Sequence, residues 1–154
     1  MENKKLIKLI RKCNGKVLKF KQLQKESKYA MAYYMSIDGE AWKVPPSLEY
    51  SSMIFRDLKK VISWYTKRHG NVRFGYVEIP REEFLDLFGK QRYIYENVIV
   101  KNIRKEIWPV ILDLNAWDEK KHPNDITIIQ DGWRRFYDYI AMGLKMIPCL
   151  YYIK

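Results

Sequence analysis

Apolar residues recur at helical spacing in "LIKLIRKC", where Leu6, Ile7, Ile10 and Cys13 share one stripe and Lys4, Lys8, Arg11 and Lys12 fall largely off it. Asn14-Gly15 then stops the predicted helix. "KVLKFKQL" alternates lysines with apolar residues and predicts a strand. "YAMAYYMSI", Asp38-Gly39 and "EAWKV" predict a hairpin, because Asp-Gly supplies the positive φ angles of a type I′ turn. Pro45-Pro46 breaks the pattern, and Ser47 is a candidate cap for a helix that runs to about His69 and ends at Gly70. Leu48, Phe55, Leu58, Ile62 and Tyr65 form its apolar stripe, with Val61 beside it.

"NVRFGYVEI" predicts a strand and "PREEFLDLFG" a short helix. Pro80 suits the first helical position, Glu82 and Glu83 favour the positive end, and Gly89 closes the element. "YIYENVIVKNIRKEIW", from Tyr93 to Trp108, predicts a longer helix limited by Pro109. "VILDLNAW" and "ITIIQ" predict two strands joined by the polar loop "DEKKHPND". "DGWRRFYDYIAM" predicts a helix stopped by Gly143, and "LKMIPCLYYI" a final strand.

No repeat or long linker divides the 154 residues, so one α+β domain is expected. Its parts are a basic N-terminal helix and β-hairpin (1–45), a winged-helix-like core (47–130) and a C-terminal helix and strand (131–154). With 47% hydrophobic and 15% aromatic residues, the chain can fill a core. It has no apolar run near the ~20 residues of a membrane span and no secretory h-region. A cytoplasmic protein, in the host cell if viral, is therefore expected. Cys13 and Cys149 fit free thiols better than a disulfide framework. A zinc site made from them with His69 and His122 lacks the usual paired spacing.

The net charge of +11 is unevenly spread. Residues 1–30 hold ten Lys/Arg against Glu2 and Glu26; ten minus two is +8. Such a field favours a polyanion, nucleic acid first and an anionic membrane surface second.

From Ser47 the elements run helix, strand, short helix, longer helix, strand, polar loop, strand, which is the order of a winged helix: two helices, the second entering the major groove, and an appended β-hairpin wing. The second helix of the pair would carry Asn97, Lys101, Arg104 and Lys105 on one side and Ile99, Ile103 and Ile107 on another. Arg pairs with guanine and Asn with adenine edges, while Lys neutralises phosphate. With Lys4, Lys8, Arg11, Lys12 and Arg92, and with Lys120 and Lys121 on the wing near His122, these residues make the expected nucleic-acid surface.

"VEIPREEFLDLFGKQ", "NVIVKNIRKEI" and "LDLNAWDEKKHPNDITII" together resemble the winged-helix domain of plasmid and phage replication initiator proteins. The resemblance covers residues 77–129 and rests on pattern. It implies binding to double-stranded DNA, and the length fits an accessory or regulatory protein of a plasmid, phage or virus; a homodimer is left open. Tyr29, Tyr33 and Tyr34, and Trp133 with Tyr137 beside Arg134 and Arg135, are candidate stacking platforms for single strands.

Walker, GxGxxG, GxSxG, HExxH and paired CxxC motifs are absent from the sequence, and no cofactor is called for. The enzyme alternative is a Mg²⁺-dependent nuclease using Glu78, Glu83 and Asp86, or Asp113, Glu119 and Lys121. A further alternative is a small viral or mobile-element protein that binds and inhibits a host protein.

Overall fold

The computed structural model describes residues 3–25, 58–101, 103, 109–115 and 128–153. The hairpin expected at 29–44, the helix start at Ser47 and the wing loop with Glu119, Lys120, Lys121 and His122 lie outside the described residues.

The amphipathic start of the chain forms α1, Lys4–Lys12. Asn3 caps it, its Oδ1 accepting from the Leu6 N–H at 3.0 Å. The Asn3 N–H donates to the Leu114 carbonyl at 2.6 Å, which ties the helix to the far side of the fold. Leu6 and Ile10 are buried, and the chain turns out of the helix through Asn14 at φ 61°. β1 (Lys16–Val17) follows. The strand expected across 16–23 stops there, because residues 20–25 are helical and form α2. Phe20 and Leu23 stand three residues apart, so a helix puts both inward, and Leu23 is buried.

α3 (Leu58–His69) is the described part of the long helix, and Gly70 ends it at φ 80°. β2 (Arg73–Pro80) leads directly into α4 (Arg81–Asp86). A 3₁₀ turn, Gly89–Gln91, joins α4 to α5 (Arg92–Glu96). β3 (Val110–Leu112), β4 (Ile129–Asp131), α6 (Trp133–Met142) and β5 (Met146–Ile153) complete the fold.

The strands make one open mixed sheet in the order β1-β2-β5-β3-β4. β5 pairs antiparallel with β2 from Arg73↔Ile153 to Pro80↔Met146, and parallel with β3 on its other side. Its interior residues, Ile147 to Tyr152, are all buried, as expected for a strand covered on both faces. The α+β class, the basic first helix and the closing helix and strand are as expected.

The winged-helix arrangement is not seen. The elements from α3 to β4 follow the expected order, but β5 lies between β2 and β3. The helix expected over Tyr93–Trp108 ends at Glu96. The Asn97 side-chain amide donates back to the Tyr93 carbonyl at 2.7 Å, closing the last turn. The β-branched run Val98-Ile99-Val100 that follows gains little from a helix and is irregular here. Ile99 is 91% exposed, so the apolar side expected beneath that helix is not buried there.

Two aromatic clusters fill the interior. Tyr65 of α3 packs on Phe74 and Tyr152, with ring centroids 5.7 and 4.9 Å away, and His69 stacks on Tyr152 at 5.2 Å. Phe136 of α6 meets Phe84 at 4.9 Å and Phe88 at 5.7 Å, and Phe88 stacks on Tyr95 at 4.0 Å. These rings clamp α4, α5 and α6 together.

Burial raises the pKa of Tyr65 well above the ordinary 10.0, and the Asp131 carboxylate pushes in the same direction. The folded state thus keeps this proton at pH values where the unfolded chain releases it. Stability is full below pH 10.0, the unfolded value, and is lost as pH rises above it. The Tyr65 hydroxyl has no hydrogen-bond partner among the described residues. Tyr65→Phe should therefore shift alkaline unfolding to higher pH while changing stability at pH 7 by less than about 1 kcal/mol. Circular dichroism across pH 8 to 12 checks the first half, and urea unfolding at pH 7 the second.

Candidate nucleic-acid interface

Between Asn3 and Lys25 the chain carries Lys4, Lys5, Lys8, Arg11, Lys12, Lys16, Lys19, Lys21 and Lys25, and no Asp or Glu. All nine are exposed. The local reason is simple: α1 buries Leu6 and Ile10 and α2 buries Leu23, so the polar positions of both helices must face outward. β1 is an edge strand with Lys16 and Val17 both exposed. The basic segment therefore passes from α1, which packs on β2, through the edge strand β1 to α2.

α3 adjoins the α2 end of this segment. Its last turn holds Lys67, Arg68 and His69, and the Arg68 guanidinium lies 4.1 Å from the Trp64 ring centre. Lys59 sits over the Phe20 ring at 5.9 Å. Between the two helices is an open groove of about 470 Å³, lined by Phe20, Lys59, Ile62, Ser63, Thr66 and Lys67. Its exposed lining is mainly apolar, with Lys59, Ser63, Thr66 and Lys67 contributing the few polar atoms.

A second cavity, of about 610 Å³, lies on the other side of β1. Ile7, Ile10, Arg11 and Gly15 bound it from the α1 side, Val17 from β1, Leu114 and Asn115 from the end of β3, and Tyr151, Tyr152 and Ile153 from the end of β5. The Asn115 N–H donates to Asp113 Oδ1 at 2.9 Å, which fixes the turn after β3.

Of the expected site residues, Lys4, Lys8, Arg11 and Lys12 do share α1, although the Lys12 ammonium pairs with Glu83 at 3.1 Å. Arg92 is held by carboxylates: Glu82, Asp86 and, at 3.2 Å, Glu96. These bonds, that to Asp86 foremost, raise its already high pKa and fix its charge. Its guanidinium thus faces carboxylates where a phosphate contact was expected. Asn97 is spent on the C-terminal turn of α5, and Lys101 stands in an exposed bend. Arg104 and Lys105 lie outside the described residues. α4 touches both α1 and α5, and it interposes Glu82, Glu83 and Asp86 between the two expected cation groups. Among the described residues, no single basic surface joins α1 to Asn97 and Lys101.

The nuclease candidates do not gather. Glu78 accepts from the Tyr76 hydroxyl at 3.1 Å, Glu83 faces Lys12, and Asp86 faces Arg92. Among the described residues, no three His, Cys, Asp or Glu side chains are grouped to hold a metal ion. Asp113 caps its own turn, and its expected partners Glu119 and Lys121 are outside the described residues. Both thiols are free. Burial raises the pKa of Cys13, with Glu83 adding to it, and raises that of Cys149 further, so both favour the protonated form.

The stacking candidates are also reassigned. Trp133 and Tyr137 belong to the Phe88–Phe136 cluster. Arg135 is buried, donating to the Pro109 carbonyl at 3.2 Å and to Asp131 at 3.3 Å. Arg134 pairs with buried Asp138 at 3.5 Å. Tyr29, Tyr33 and Tyr34 lie outside the described residues. Sequence reasoning missed Ser63 and Thr66 as a possible lining and the whole cavity at Val17 and Leu114. Only the acid-free run from Asn3 to Lys25 pointed toward them.

No family model matches the chain, and no match is found among curated proteins or solved structures. Among the described residues no helix is long and apolar enough to cross a membrane.

Proposed function

We propose that this protein binds nucleic acid by its phosphate backbone, through the exposed cations of α1, β1 and α2. The observation that carries the reading is the acid-free run of nine exposed cations, held on a fixed scaffold by Leu6, Ile10 and Leu23. Fixed cations neutralise phosphates and release condensed counterions, which gives affinity without sequence preference. The expected readout of base edges by a long basic helix has no support, since that helix ends at Glu96. An anionic membrane surface is the weaker partner, because Leu6 and Ile10, the residues α1 would insert, are buried in the core.

Binding to a labelled oligonucleotide should weaken steeply with salt, with a log–log slope of about 0.9 per phosphate on a duplex. The triple variant Lys4→Glu/Lys8→Glu/Arg11→Glu should lose at least about tenfold in affinity and reduce that slope by roughly three. Arg92→Ala, whose charge is already compensated by its carboxylates, should bind like the parent. Fluorescence anisotropy across a salt series measures all three. Parental binding by a folded triple variant rejects the proposal.

A further inference from the structure

We infer that the cavity between α1, β1 and the ends of β3 and β5 takes the base of an unpaired nucleotide, with the phosphate held at Arg11. The inference rests on the reading above, that the segment from Asn3 to Lys25 contacts phosphate. Its volume of about 610 Å³ falls in the range of small-molecule sites. Ile7, Val17, Leu114 and Ile153 give it apolar walls suited to the faces of a flat ring, while Arg11 and Asn115 are its polar members. An amide offers both a donor and an acceptor, as the edge of a base requires. Arg11 is one of the exposed cations of α1, so the mouth of the cavity opens onto the same basic surface.

β3 and β5 run parallel, and both point their carboxyl ends at the cavity, through Leu114–Asn115 and Tyr151–Ile153. Among the described strands β3 and β5 are the one parallel pair, so here the carboxyl ends of two adjoining strands open side by side. The tyrosine hydroxyl also reaches this wall: a β-carbon on Gly15 would fall 3.2 Å from Tyr151 Oη. A base stacked within a duplex cannot enter such a recess, so the ligand must be unpaired, either in a single strand or as a free nucleotide.

The test compares single strands of ~10 nucleotides that carry the same number of phosphates, one with bases and one abasic throughout. The parent protein should bind the strand with bases about tenfold or more tightly. Val17→Trp, which fills the cavity from an edge position that is 39% exposed, should bring that ratio close to one and leave affinity for the abasic strand unchanged. Asn115→Trp, also on the surface, serves if Val17→Trp melts early. Adenosine monophosphate forms the second arm. Saturable binding that Val17→Trp removes supports the site and makes free nucleotide a source; no such binding, with the strand ratio intact, supports a strand as the source. Equal affinity of the parent for both strands, with no nucleotide binding, overturns the inference and leaves backbone binding standing. An undiminished ratio in either folded Trp variant also overturns it. Failure to bind any strand overturns both readings together.

Discussion

Gly75→Ala should lower the unfolding free energy by about 3 kcal/mol, the upper end of the usual overpacking penalty. Gly75 stands directly opposite Tyr151 in the β2–β5 ladder, and the tyrosine ring lies across it. A β-carbon at Gly75 would come within 2.6 Å of Tyr151 Cε1 and 2.5 Å of its hydroxyl oxygen. Real contacts of that kind are not found, and both strands are buried here, so neither can slide away. The sign reverses once the ring is gone. In a Tyr151→Ala background the added methyl has room, and alanine restricts the unfolded chain more than glycine does, so Gly75→Ala should become neutral or stabilising by about 0.5–1 kcal/mol. Urea unfolding of the four proteins in this cycle gives the coupling between the two positions directly. Equal losses in both backgrounds would mean that the ring does not occupy that space.

Phe136→Ala should cost about 3–5 kcal/mol, the range for emptying a fully buried aromatic site. Phe136 has no exposed surface and is the ring that Phe84, Phe88 and Trp133 share. α4, α5 and α6 are short, so little besides this cluster fastens α4 and α5 against α6. For a domain of this size a loss of that order lowers the melting temperature by about 10 °C. Phe136→Leu, which keeps much of the volume, should recover most of it. Differential scanning calorimetry of the two variants tests the ordering. Binding through α1 should persist in whatever fraction of Phe136→Ala remains folded, because α1 packs on β2 and, of its cations, Lys12 alone is seen to pair with a residue of α4.

The parts of the fold that could be read from sequence are those with one strong periodic signal and a clear stop. In α1 the stripe of Leu6 and Ile10 and the Asn14-Gly15 exit agree, and the helix is found where expected. α6 likewise ends at Gly143, which adopts φ 71°. Between Lys16 and Leu23 the pattern fits both periods, and the burial of Leu23 against the core settles the second half as helix. The stretch after Glu96 misled for the opposite reason. Isoleucines at steps of four match a helix in spacing, yet three β-branched residues in succession weaken it, and no neighbour covers Ile99. The place of β5 in the sheet was not legible at all, since strand order depends on contacts between distant segments. For the site, the cations of α1 could be found from charge alone. The neutralisation of Arg92 could have been suspected only from Glu96, four residues on, because Glu82 and Asp86 reach it through the turn between α4 and α5.

The central strand of the sheet is also the last of its described strands to be synthesised. Until Met146–Ile153 emerges, β2 and β3 have no common partner, and Phe74, Val77 and Ile111 are left without the neighbour that covers them. Nascent chains are therefore expected to stay protease-sensitive and to recruit chaperones until Met146–Ile153 has emerged, then to consolidate in one late step governed by long-range pairing.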